Sequence, residues 1–253
     1  MRLAVTELGV GPAVVLLHGL LGAGQNFGAV QKALAADFRV LALDLRNHGA
    51  SPHAADMRYA TMAGDVAETL HALSAWPATL IGHSMGGKVA MALALARPEG
   101  VSRLLVADIA PVAYPFPLFK AYVAAMQAVP LRPGLTRREA DAALATAVPA
   151  AALRGFLLQN LLLAEDPPRW RIGLAEIAAG LPEIGGWPER PGRYDGPVLV
   201  LAGDASDYVQ PAHWPVFLRL FPAARLATIA AGHWLHAENP RAFLDAVRRF
   251  LQP

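Results

Sequence analysis

Ser84 stands in the run Ile81-Gly82-His83-Ser84-Met85-Gly86-Gly87, a Gly-x-Ser-x-Gly spacing. A serine hydroxyl is a poor nucleophile until a base takes its proton, and that base must itself be oriented by an acid. Where such a serine sits between a strand and a helix, the order along the chain is serine, acid, histidine. Of the eight histidines, His233 is the candidate base: it lies late, in a Gly-His loop after the last apolar strand pattern. His236, three residues on, reads as a packing or loop-holding residue. His83 flanks the serine with its side chain directed away, and His48, His53, His71 and His213 belong to no constellation.

The acid has three candidates. Asp108 follows an apolar strand and precedes Ile109-Ala110-Pro111. Asp204 and Asp207 lie in the loop after the next strand, the commoner place for this acid, where the usual frame is Gly-x-x-Asp-x-x-Val. Gly203 and Val209 fit that frame, but its fourth position is Ser206, with Asp207 one residue late and Asp204 two early. A one-residue shift re-aims a loop side chain, so Asp108 ranks first and Asp207 second. An acyl-transfer oxyanion also needs two preorganised N–H donors, each worth roughly 3 kcal/mol of barrier. The residue after the nucleophile, Met85, supplies one, and Leu20, following His18-Gly19, is placed to supply the other. Asp44 and Arg46 read as braces of a loop over the site. No His-x-x-x-His or carboxylate cluster has metal-ligand spacing, and this chemistry calls for neither metal nor cofactor.

These residues need elements to hold them. Pro77–Leu80 leads into an apolar strand before the serine, and Lys88–Ala96 is a run of strong helix formers after it. Glycine is required where strand and helix meet so tightly, and a serine at a helix N-terminus faces unpaired N–H groups and the positive end of the dipole. Ala13–Leu17 and Arg39–Leu43 are continuous apolar runs, as expected of strands buried on both faces of a parallel sheet. Arg103–Ala107 and Pro197–Ala202 repeat the pattern, Arg2–Leu8 reads as an edge strand, and Leu226–Ile229 as a short final strand. Helices are expected over Asn26–Ala36, from a Thr61 cap to about Leu73, over Ala212–Phe221, and from an Asn239 cap with Pro240 first to Leu251. Strands alternating with helices argue the α/β class with a doubly wound, mainly parallel sheet.

From residue 111 to 193 the rhythm changes to alanine, leucine and proline, with helical patches at Leu118–Val129, Arg137–Ala147, Ala151–Leu163 and Arg169–Ala179 and no strand pattern. It is far longer than a crossover needs. We read it as an all-helical lid inserted into a core formed by residues 1–110 and 194–253. Its Phe116, Phe119, Tyr122, Met126, Phe156, Leu157 and Trp187 offer an apolar pocket, although at helical spacing most read as the lid's own core.

Composition narrows the partners. Basic and acidic residues nearly balance, 22 against 20, and Arg137-Arg138 and Arg248-Arg249 look like solvated helix faces, so nucleic acid is not expected. The chain has no cysteine, which excludes disulfides and a thiolate nucleophile. No run of about 18 uncharged apolar residues is present, so no membrane span is expected, and the N-terminal apolar stretch is broken by Glu7 and glycines. The expected location is cytoplasmic.

Together, His18-Gly19, DLRNHGAS, GHSMGGK, DIAPV and GHWLHAENP resemble the α/β-hydrolase superfamily, and more closely the YbfF-type bacterial esterases. The resemblance spans both core segments. It implies an α/β-hydrolase fold, a triad of Ser84, Asp108 and His233, and a small-molecule carboxylic ester, or thioester, as substrate. Because fold does not fix function, carbon–carbon bond hydrolysis or a lyase step on the same triad is the alternative, and a non-catalytic receptor has no use for His233. Ser84 also speaks against dehalogenase and epoxide hydrolase chemistry, which resemble this fold but use aspartate at that position.

Overall fold

The computed structural model describes residues 1–115, 117–188 and 192–252. The chain opens with β1 (Val5–Leu8) and β2 (Ala13–Leu17), a 3-10 turn at Gly24–Phe27, α1 (Gly28–Leu34) and β3 (Arg39–Leu43). Then come α2 (Tyr59–Ala72), β4 (Ala78–His83), α3 (Met85–Ala96) and β5 (Val101–Ala107). After β5 come α4 (Pro117–Gln127), α5 (Arg137–Leu144), α6 (Ala151–Leu157), β6 (Leu161–Leu162), β7 (Arg169–Trp170), α7 (Leu174–Ala179) and α8 (Leu181–Gly185). The chain ends with β8 (Val198–Gly203), α9 (Trp214–Leu220), β9 (Ala224–Ile229), α10 (Leu235–Glu238) and α11 (Pro240–Leu251).

Seven strands form one sheet in the order β1-β3-β2-β4-β5-β8-β9. Only β1 runs antiparallel, against β3. The apolar runs follow from this placement. Val15 and Leu17 of β2 pack into a core on one face with α2 and α3, while Val14 and Leu16 join a second core on the other face with α1 and α11. Successive residues of β3 and β5 divide between the two cores in the same way. The parallel registers set the C-terminal ends of β2, β4, β5 and β8 side by side, and at such an edge open α/β sheets bind ligands.

Several sequence expectations shift. The stretch between β5 and β8 is not all-helical: β6 and β7 pair antiparallel, Leu161 with Trp170 and Leu162 with Arg169. The helix expected over Ala151–Leu163 ends at Leu157 because Asn160 turns inward and donates its amide to the Leu21 carbonyl at 2.8 Å. The helix expected from Arg169 begins only at Leu174, since the Trp170 indole N–H is committed to the Met126 carbonyl at 3.0 Å. Thr61 does not cap α2: the helix begins at Tyr59, and the Thr61 hydroxyl donates to Asp56 Oδ2 at 2.7 Å instead. Asn239 does cap α11, accepting from the Ala242 N–H, with Pro240 at the first position. No helix among the described residues is long and apolar enough to cross a membrane.

Candidate active site

The turn from β4 into α3 places Ser84 at φ 52°, ψ −119°, a conformation most side chains avoid. The glycines around it are sterically required. A Cβ on Gly82 would fall 2.3 Å from the Gly86 carbonyl oxygen, and one on Gly86 would fall 2.3 Å from the Leu17 carbonyl oxygen. The turn is pinned on both sides, because Ser84 N–H donates to the Ala107 carbonyl (3.0 Å) and the Ser84 carbonyl accepts from Lys88 N–H (3.1 Å). Ser84 thus stands above the sheet at the head of α3, at the positive end of its dipole.

His233 comes to Ser84 from the loop after β9, its Nε2 3.0 Å from Ser84 Oγ. Its Nδ1 lies 2.8 Å from Asp108 Oδ2. Asp108, at φ 52° and fully buried, ends β5 and is the aspartate that meets His233. A carboxylate acceptor at Nδ1 fixes the proton there and leaves Nε2 to accept from the serine hydroxyl. Gly203 N–H donates to Asp108 Oδ1 at 3.1 Å, and the Ser206 hydroxyl donates to Oδ2. The other two aspartates are engaged elsewhere: Asp204 accepts from Ala231 N–H at 3.1 Å, and exposed Asp207 accepts from the Gln210 side chain. The Tyr208 ring stacks on the imidazole of His233 at 3.9 Å and 19°. Tyr114 in turn donates its hydroxyl to the Tyr208 carbonyl.

Leu20 and Met85 are both buried beside the serine. Their N–H groups have no acceptor among the described residues, although their neighbours do: Leu21 N–H donates to His48 Nε2 (3.1 Å) and Gly22 N–H to the Gly19 carbonyl (3.1 Å). Two free, buried donors in a stiffly held loop and at a helix head are suited to receive a developing oxyanion.

The stiffness has a source that the spacing of residues did not reveal. His18, in the loop after β2, accepts from Leu45 N–H in the loop after β3 (3.0 Å) and donates from Nδ1 to the Gly19 carbonyl (2.8 Å). His48, in the loop after β3, accepts from Leu21 and donates from Nδ1 to the Arg46 carbonyl (2.8 Å). Each loop thereby lends a histidine to the other. Burial holds both rings neutral, His18 pushed down to about 4 and His48, which also feels His18, to about 3. Asp44 ties the same loops, accepting from Gly24 N–H (2.7 Å) and Ala50 N–H (2.8 Å), while Arg46 pairs with buried Asp65 at 2.6 Å. His83 donates from Nε2 to the His233 carbonyl at 2.8 Å; burial, with His233 and His236 close by, keeps it well below its ordinary range. His236 packs between Phe27 and His83, and burial pushes it down to about 4.

Phe119, Tyr122, Leu153, Phe156 and Leu157, from the stretch between β5 and β8, line a cavity of about 20 Å³ with Ser84, room for about one water. Four of the seven apolar residues singled out in the sequence are therefore sorted: Phe119, Tyr122, Phe156 and Leu157 line this cavity. Met126 is fully buried in the core, Trp187 packs against Tyr59, and Phe116 lies outside the described residues.

Comparison with known proteins agrees with this architecture. A family model described as the alpha/beta hydrolase fold matches residues 12–240. The sn-1-specific diacylglycerol lipase ABHD11 of Mus musculus is 44% identical over 248 residues, covering 95% of this chain and 81% of that protein. Esterase YbfF of Escherichia coli (strain K12) is 38% identical over 239 residues, covering 94% of this chain and 92% of its own length. A solved structure, "Marine microorganism esterase", superposes with a TM-score of 0.95 at 37% identity over 99% of both chains.

Proposed function

The chain belongs to the α/β-hydrolase fold family and is an esterase- or lipase-type hydrolase, and from that premise we propose that it cleaves carboxylic esters through an acyl-enzyme on Ser84, His233 and Asp108. The observation that carries this reading is the unbroken line from Ser84 Oγ to His233 Nε2 (3.0 Å) and from His233 Nδ1 to Asp108 Oδ2 (2.8 Å). Ser84 Oγ attacks the ester carbonyl carbon as its proton passes to His233 Nε2. Asp108 orients the ring and offsets the imidazolium charge. The carbonyl oxygen, now an oxyanion, turns to the N–H groups of Leu20 and Met85. Collapse expels the alcohol, which takes the proton from His233, and a water repeats the sequence in reverse to free the acid. A thioester carbonyl would meet the same groups.

In this reading residues 1–110 and 194–253 are the hydrolase core and 111–193 the lid. Its supports are the placement of Phe119, Tyr122, Leu153, Phe156 and Leu157 over Ser84 and the single-water size of the cavity beneath them, which an ester enters only when those side chains move. The test is hydrolysis of p-nitrophenyl esters of increasing acyl length by wild type and Ser84→Ala. Turnover that peaks at one length and is lost in the variant is expected. A wild type inert on every ester but active on a diketone would point instead to carbon–carbon bond hydrolysis.

A further inference from the structure

Beside the cavity over Ser84 lies a second, wider cleft of about 460 Å³ open to solvent. Asn26, Phe156, Trp234 and His236 line both and form the boundary between them. Beyond that boundary the walls carry two polar side chains, Arg137 at the start of α5 and Gln159, among Ala152, Gly155 and Ala237.

Arg137 is the single formal charge of this lining, and no carboxylate lies within ion-pair distance of it among the described residues. Its neighbours are different: Arg132 pairs with Glu139, and Arg154 pairs with Asp141. Arg137 has only two long bonds, to the carbonyls of Leu158 (3.3 Å) and Gly155 (3.5 Å), which leave most of its five donors unused. Gln159 is held only by a 3.4 Å contact from Asn26 to its amide oxygen, so its own NH₂ is directed to no acceptor among the described residues. Asp141, one turn further along α5, is taken up by Arg154, so the exposed guanidinium and the primary amide, both donor-rich, match an acceptor carrying one negative charge.

We propose that this cleft is a subsite for a carboxylate at the far end of the ester substrate, held by Arg137 with help from Gln159. The inference rests on the esterase reading above and adds a substrate class to it: a half-ester whose apolar chain crosses the Asn26–Phe156–Trp234–His236 boundary. One guanidinium balances one negative charge, which favours a carboxylate over a doubly charged phosphate.

The test is the ratio of kcat/KM for p-nitrophenyl monoesters of adipic, suberic and sebacic acids to that for the neutral hexanoate, octanoate and decanoate. In wild type the ratio rises to a maximum at one chain length. Arg137→Gln lowers that maximum at least tenfold, through KM, whereas Arg137→Lys retains part of it. Arg138→Gln, outside the cleft, leaves it unchanged. Gln159→Glu sets an acid in the cleft without touching the bonds of Arg137, and it lowers the ratio as well, so the test survives if Arg137→Gln fails to fold. A ratio unmoved by Arg137→Gln or by Gln159→Glu overturns the subsite while neutral-ester turnover leaves the esterase reading intact. A wild type inert on the neutral esters would instead strike at that reading.

Discussion

The Ser206 hydroxyl donates to Asp108 Oδ2, the same oxygen that faces His233 Nδ1. Ser206 occupies the position in the loop after β8 where the usual frame of this fold has its acid, and the carboxylate that meets His233 comes from the end of β5 instead. The two loops are adjacent because Asp108 N–H continues the sheet by donating to the Leu201 carbonyl at 2.9 Å. A hydrogen bond to a charged group is worth roughly 1.5–3 kcal/mol. Ser206→Ala should therefore lower kcat about tenfold with KM little changed, as measured by steady-state ester hydrolysis; an unaltered kcat would show that the bond has no part in holding Asp108.

Asp108→Asn should cost about 10³–10⁴-fold in kcat, since an amide at that position no longer fixes the proton on Nδ1. Asp207→Asn should stay within about twofold of wild type, because Asp207 is exposed and, among the described residues, its side chain bonds only to Gln210. Kinetics of the two variants side by side decide between the acids. A larger loss at Asp207 would reverse the assignment.

Much of this was legible in the sequence, and what was not has physical reasons. The strand–glycine–serine–glycine–helix run printed its geometry locally, because each glycine answers a clash within a few residues or with the adjoining strand end. The roles of His18 and His48 were hidden, since each bonds a backbone N–H 27 residues away in a facing loop and neither leaves a spacing pattern. Strands β6 and β7 are two residues each, too short for alternation to register. Ser206 looked like a missing acid until the pairing of β5 with β8 brought it to Asp108.

The neutral histidines make the fold acid-sensitive. His18 is held at about 4 in the folded chain but titrates near its ordinary 6.5 when unfolded. The unfolded state binds more protons between those values, so stability is present above about pH 6.5 and is lost as pH falls toward 4. His18 alone should forfeit roughly 2 kcal/mol between pH 7.5 and pH 5. Urea denaturation at pH 7.5, 6 and 5 should show a steadily falling midpoint. A flat profile would mean that these rings are charged in the folded protein.

Lys88 lies buried on α3, donating to the carbonyls of Gly186 (2.7 Å) and Gly185 (3.3 Å) at the end of α8 and facing the rings of Tyr59 and Tyr114. Burial pushes it down to about 7 from its ordinary 10.5. Between those values the unfolded chain holds the extra proton, so this group makes stability rise with pH across that window. Lys88→Met removes the slope: relative to wild type, the variant should be most favoured near pH 6 and lose ground toward pH 9.5. Parallel denaturation curves at the two pH values would contradict this.

An acyl-enzyme at Ser84 can be tested by covalent trapping of that residue. Intact-mass analysis after treatment with a fluorophosphonate, followed by peptide mapping, should find one adduct on Ser84 and none in Ser84→Ala, with ester turnover lost in both the labelled protein and the variant. An adduct on another residue, or Ser84→Ala hydrolysing esters near the wild-type rate, would contradict an acyl-enzyme at Ser84.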